Sequence, residues 1–155
     1  MRLFFVACAA FGMVLLTQFI MAQKIKIPTV SANQIHTLQN SEELSDRFVI
    51  VDVRDKAETD VSIIPGAITK SEFEKTSNQH QGKSIITYCT VGFRSGLYAK
   101  NLARQGWRSY NYQGSILDWC KNRLPLVTPD EKETKRVHTY SSRYAVADGY
   151  EAIYQ

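Results

Sequence analysis

Ser84-Ile85-Ile86-Thr87-Tyr88-Cys89-Thr90-Val91-Gly92-Phe93-Arg94-Ser95 is the most informative run of the chain, because it passes from a strand pattern through a cysteine to a helix. Ser84 to Tyr88 is rich in β-branched and apolar side chains, the composition of a short buried strand. The following Gly96-Leu97-Tyr98-Ala99-Lys100-Asn101-Leu102-Ala103-Arg104-Gln105-Gly106 sets Leu97, Leu102 and alanines at helical spacing and closes on a capping glycine. The pattern predicts a strand, a loop over residues 89–95 and a helix.

A cysteine at such a junction meets free backbone N–H groups and the positive end of a helix dipole. Together they cradle an anion and lower a thiol pKa. Gly92 lets the loop curl with its N–H groups inward, and Arg94 adds a permanent positive charge at the far side. Cys89 is therefore the candidate nucleophile, with Arg94 as its catalytic partner and Thr90, Val91, Gly92, Phe93 and Ser95 as substrate-binding positions. A packed structural cysteine is the competing reading, since free cysteine is among the most buried residue types. The arginine five residues on and the glycine between favour a site.

Outward from the loop, Phe48-Val49-Ile50-Val51-Asp52-Val53 reads as a central strand buried on both faces, as in parallel sheets. Asp52 and Arg54 fall at its carboxyl end, where ligands bind in open α/β sheets. Ser31 caps a first helix, and Ser71 with Glu74 forms a capping-box pattern for a helix over 71–75. Trp107 to Tyr112 is a further strand, and Gly114 to Asn122 a further helix. Strands alternating with helices at this spacing argue a parallel sheet covered on both faces.

The loop Cys89-x-x-Gly92-x-Arg94-Ser95 resembles the active-site loop of rhodanese-like sulfurtransferases. The resemblance takes in Val51-Asp52-Val53-Arg54, Ile64-Pro65-Gly66-Ala67, Gly106-Trp107 and Gly114-Ser115-Ile116-Leu117-Asp118-Trp119, and so covers residues 30–127. It implies a rhodanese-like three-layer α/β sandwich, a mostly parallel sheet of about five strands with helices on both faces. The implied activity moves a sulfane sulfur from thiosulfate or a persulfide, through a Cys89 persulfide, to a thiol or cyanide-like acceptor. The alternative is a non-catalytic or redox module that binds a protein partner. Asp52 and Arg54 are implied as supporting residues, Asp52 accepting backbone N–H groups and Arg54 facing the pocket or pairing with Asp55 or Glu58.

Three positions depart from the family pattern: Ser62 and Ile63 replace its usual glycine and histidine, and Thr90 stands where many thiosulfate-using relatives carry a basic residue. The last leaves a protein or small-thiol persulfide donor open. Cysteine phosphatases space cysteine and arginine by five residues; here four intervene, a tighter loop suited to one sulfur.

The chain has 155 residues, 44% apolar and 22% charged, with a net charge of +4 from interspersed charges, which gives no case for nucleic acid. No phosphate-binding glycine motif or metal-ligand cluster is apparent, and no cofactor or metal is expected. Residues 1–22 have the layout of a signal peptide or an uncleaved anchor, which predicts an exported protein of the periplasm or cell envelope, touching membrane only through that segment if it is retained. Residues 23–29 read as a linker and 128–155 as a C-terminal extension docked on the domain. That extension carries Tyr140, Tyr144, Tyr150 and Tyr154, which could instead meet a protein partner. Cys120 reads as a packed helix cysteine, with a resolving thiol as the alternative; Cys8, His36 and His138 are assigned no role.

Overall fold

The computed structural model describes residues 25–154. The segment 1–22, read above as signal peptide or anchor, lies outside the described residues. Among the described residues no helix is long and apolar enough to cross a membrane.

Four strands, β1 (Phe48–Asp52), β2 (Ile68–Thr69), β3 (Ser84–Tyr88) and β4 (Ser109–Asn111), form a wholly parallel sheet in the order β2-β1-β3-β4. A fifth position is rudimentary: Thr29 bridges Asn111 in parallel, with Val30 N–H donating to Asn111 O at 3.1 Å and Asn111 N–H to Pro28 O at 3.0 Å. Proline has no N–H to give, so this edge shrinks to one bridge and the sheet has four full strands rather than five.

Helices α1 (Ala32–Gln39), α2 (Lys56–Thr59), α3 (Lys70–Thr76), α4 (Phe93–Arg104) and α5 (Ser115–Lys121) alternate with the strands. Ser31 caps α1 in a full capping box with Gln34. Helix α3 begins earlier than the Ser71–Glu74 pattern implies. Its cap is Thr69, whose Oγ1 accepts the Glu72 N–H at 3.2 Å while the Glu72 carboxylate accepts the Thr69 N–H at 2.7 Å. Both registers offer a hydroxyl with glutamate three residues on; the earlier one wins because β2 ends at Thr69 in extended backbone.

Side chains alternate across each strand, so the sheet divides the core in two. One half holds Ile50, Ile86, Tyr88, Ile35, Ile116, Trp119 and Cys120; the other holds Val49, Val51, Val53, Ile85, Phe73, Leu102 and Cys89. Asp52 pairs in register with Tyr88, which places it on the first face while Cys89, one residue further along, turns to the second.

Beyond α5 the chain adds two small ribbons. β5 (Leu126–Val127) pairs antiparallel with β6 (Glu133–Thr134), and β7 (Arg136–His138) pairs parallel with β8 (Glu151–Ile153). Val137 of β7 is fully buried in the first core, and the Tyr150 hydroxyl donates to Leu124 O at 2.5 Å. Burying one such aliphatic side chain stabilises by about 1.5–3 kcal/mol, so Val137 is one of the contacts that hold the extension against the domain.

Candidate active site

Cys89 leaves the carboxyl end of β3 and is 1% exposed. The chain then turns through Gly92, at φ +88°, straight into α4. The Gly92 N–H donates to Cys89 Sγ at 3.1 Å, and the Ser95 hydroxyl lies 3.6 Å from the same sulfur. Burial pushes the Cys89 thiol up, but hydrogen bonds from the Ser95 backbone and hydroxyl and from the Val91 and Gly92 N–H groups more than offset it. The net effect is a thiol that ionises below its ordinary value of 9.0. No side chain fits at Gly92, because a Cβ there would sit 2.1 Å from Gln113 O.

The loop is pinned from below by a residue that sequence reasoning did not single out as a site residue. Ser115 Oγ accepts the Cys89 N–H at 3.0 Å, donates to Tyr112 O at 2.9 Å and lies 3.9 Å from the sulfur. Ser115 is buried with φ +55°, a conformation uncommon for a residue with a side chain. The first N–H groups of α5 complete the anchor, Ile116 N–H donating to Cys89 O at 3.1 Å and Leu117 N–H to Thr90 O at 3.4 Å. Asn111 of β4 ties the far side, accepting the Ser95 hydroxyl at 2.7 Å and donating to Gly92 O at 3.2 Å. Only the Gly114-Ser115 motif hinted at any of this; the Asn111 contact leaves no local signal.

Arg94 does not present a free positive charge to the sulfur. Its Nη1 and Nη2 donate to Glu58 Oε2 and Oε1 at 2.6 and 2.7 Å, Nη1 also reaches Asp55 Oδ2 at 3.3 Å, and Nη2 donates to Thr90 Oγ1 at 3.0 Å. Glu58, 2% exposed on α2, takes the Thr90 hydroxyl as well, at 2.9 Å. Burial pushes the Glu58 carboxyl up, but its hydrogen bonds to Arg94 and the Asp55 N–H outweigh that and hold it below the usual carboxylate value. Glu58 in turn raises the Arg94 guanidinium. Arg94 is thus a clamp on the loop, and the Thr90 hydroxyl is part of the same network.

Val91 and Phe93, 40% and 72% exposed, stand outward at the rim, while Ser95 is fully buried beside the sulfur. Beside the rim lies an open groove of about 780 Å³, lined among others by Ile25, Lys26, Val91, Phe93, Leu97 and Lys100. A larger hollow of about 1040 Å³ over β2 and α2 includes no loop residue.

Arg54 pairs with neither Asp55 nor Glu58. Its guanidinium donates to Asp52 through Nε at 3.0 Å and Nη2 at 2.7 Å, and to Ser62 O at 2.6 Å, with both side chains wholly buried. The Arg54 guanidinium lies 5.9 Å from the centroid of the Tyr88 ring, which sets it with Asp52 on the face opposite Cys89. Asp52 also accepts the Arg54 N–H at 3.0 Å, a scaffold bond. Burial opposes the Arg54 charge, yet Asp52 overcomes it and raises the guanidinium above its ordinary value.

Cys120 is fully buried in the opposite core, and that burial pushes its thiol up to about 12. Among the described residues no three His, Cys, Asp or Glu side chains come together in a way that could hold a metal.

A parallel sheet whose central strand delivers a cysteine into a closed N–H loop defines the class, and the comparison with protein families agrees. The rhodanese-like domain model matches residues 31–122, and the chain belongs to that family. A sulfurtransferase from Allochromatium vinosum is 30% identical over 104 residues, spanning 63% of this chain and 97% of that protein. A Rhodopseudomonas palustris structure, described as a protein of unknown function and possible tyrosine phosphatase, superposes with a TM-score of 0.56 at 28% identity over 64% of this chain and 84% of that one. A Bacillus halodurans structure superposes with a TM-score of 0.57 at 23% identity, covering 65% and 77%, which speaks to the fold. Family and relatives support sulfur transfer as the class of chemistry.

Proposed function

We propose that the chain is a sulfurtransferase that carries a sulfane sulfur on Cys89 as a persulfide, accepting it from thiosulfate or a persulfide and passing it to a thiol or cyanide-like acceptor. The observation that carries this reading is the Cys89 sulfur itself, buried yet ringed by N–H donors that favour its ionised form. The thiolate attacks the outer sulfur of the donor, the donor's S–S bond breaks, and its electron pair leaves with sulfite or with the donor thiolate. The N–H groups that stabilise the thiolate also stabilise charge on the transferred sulfur. An acceptor then attacks that outer sulfur, and Cys89 departs as thiolate. No separate base is required.

Two observations weigh on the rivals. Cys89 and Cys120 occupy opposite faces of the sheet, which supports transfer to an external acceptor over an internal dithiol switch. The Arg94 fork is taken up by Glu58, which disfavours a phosphatase in which that arginine grips phosphate. The reading of residues 1–22 as a signal peptide or anchor supports action outside the cytoplasm, in the periplasm or cell envelope.

The test is the intact mass of the reduced protein before and after thiosulfate or a small persulfide donor, with Cys89→Ser alongside and cyanide added last. A gain of one sulfur, absent in Cys89→Ser and released to cyanide as thiocyanate, is expected. A folded, reduced protein that takes sulfur from neither donor refutes the reading and favours a binding module.

A further inference from the structure

Among the described residues six large apolar side chains are exposed, and four of them surround the Cys89 loop. Val91, Phe93 and Leu97 stand on the α4 side at 40%, 72% and 56% exposure. Tyr140, from the C-terminal extension, lies with its ring centroid 5.4 Å from the Arg94 guanidinium. Apolar surface gathered at a rim, instead of scattered singly, marks a contact site.

Charge continues the pattern along the helix. Phe93, Leu97, Lys100 and Arg104 follow helical spacing, so they form one stripe down α4, apolar beside the thiol and basic further away. Phe93 to Arg104 spans about 16 Å at the rise of an α-helix. Helix α4 carries Arg94, Lys100 and Arg104 and no acidic residue, and the adjoining groove adds Lys26, again with no carboxylate in its lining.

We propose that this stripe is the docking surface for a protein whose own cysteine exchanges sulfur with Cys89, on a segment apolar next to the thiol and acidic about two to three helical turns away. This rests on the sulfur-carrier reading above and names its partner. A small anion has no use for an apolar stripe, and the nearest fixed positive charge, Arg94, is already compensated by Glu58. A flat bilayer brings no nucleophile to a sulfur recessed below the rim. A second copy of this chain presents the same basic helix, with no acidic residue on its α4 to answer this one. In the transfer, the partner thiolate attacks the outer sulfur of the Cys89 persulfide. The Cys89 S–S bond breaks with its electron pair returning to Sγ, and the partner leaves as a persulfide, with no oxidant or reductant needed.

The experiment loads the full protein with sulfur and follows single-turnover discharge into three acceptors. These are cyanide, a synthetic cysteine peptide with leucines beside the thiol and glutamates two and three helical turns away, and its twin with lysines in place of the glutamates. The acidic peptide is expected to discharge Cys89 at least about tenfold faster than its twin at low salt, the advantage fading as salt screens the charges. Lys100→Glu with Arg104→Glu reverses the preference, and Leu97→Asp slows both peptides, while cyanide discharge stays unchanged in all. Equal rates for the twins, indifference to the charge reversal, or a stripe that binds only anionic phosphatidylglycerol vesicles or a second copy overturns the proposal. Failure of cyanide to discharge the wild type instead sinks the sulfur-carrier reading, and the docking proposal with it.

Discussion

Replacing Glu58 by glutamine tests whether the site depends on a compensated clamp. The carboxylate is 2% exposed and accepts from Arg94 at 2.6 and 2.7 Å, from Thr90 at 2.9 Å and from the Asp55 N–H at 3.1 Å. Glutamine keeps the volume and one acceptor oxygen but turns the other into a donor facing a guanidinium, leaving the exposed Asp55, at 3.3 Å, as the one carboxylate bonded to Arg94 among the described residues. Breaking a fully buried pair costs about 3–5 kcal/mol; Arg94, whose side chain is 31% exposed, regains part of its hydration, so about 2 kcal/mol is expected here. For a chain of this length that is a fall in Tm of roughly 6 °C near neutral pH. The folded carboxyl ionises below its ordinary value of 4.5, so its contribution is whole above that pH and is lost as pH falls through the folded-state value. Thermal melts of wild type and Glu58→Gln between pH 7 and pH 3 should therefore converge on the acid side. Equal Tm at pH 7, or a gap that does not narrow as pH falls below 4.5, would refute the clamp.

The remaining expectations concern the sulfur and its loop. Alkylation of Cys89 by iodoacetamide should follow a pH profile centred below 9.0, and Ser95→Ala should move it up toward that value; an unmoved midpoint would remove Ser95 from the set of groups that stabilise the thiolate. Gly92→Ala must relieve a 2.1 Å approach to Gln113 O and adopt φ +88°, so sulfur loading should fall by more than about tenfold, measured by intact mass; loading at the wild-type rate would mean that the loop tolerates rearrangement. Cys120→Ala should load one sulfur as the wild type does, since that thiol is buried, ionises only near pH 12 and faces away from Cys89; a lost or doubled load would show that the two thiols communicate.

How much of this was legible in the chain depends on the range of the interactions. The β3-loop-α4 unit and the nucleophile follow from neighbours in sequence: β-branched residues before Cys89, a glycine able to hold φ +88°, and helical spacing after it. The apolar run Phe48-Val49-Ile50-Val51 announced a strand buried on both faces, because none of its side chains is polar. Periodicity could not say which acid meets which arginine. Asp52 takes Arg54 because both side chains are buried on the Tyr88 face of the sheet, and that leaves Glu58 for Arg94, 36 residues away. Ser115 and Asn111 reach the loop only because parallel pairing sets β4 and the start of α5 beside β3, at separations where sequence carries no periodic signal. Local sequence sufficed for the strand-loop-helix, the thiol and its family. Long-range packing set Glu58 as the acid that clamps Arg94, put Asp52 and Arg54 on the opposite face and left Cys120 out of reach, since each depends on which elements the fold brings side by side.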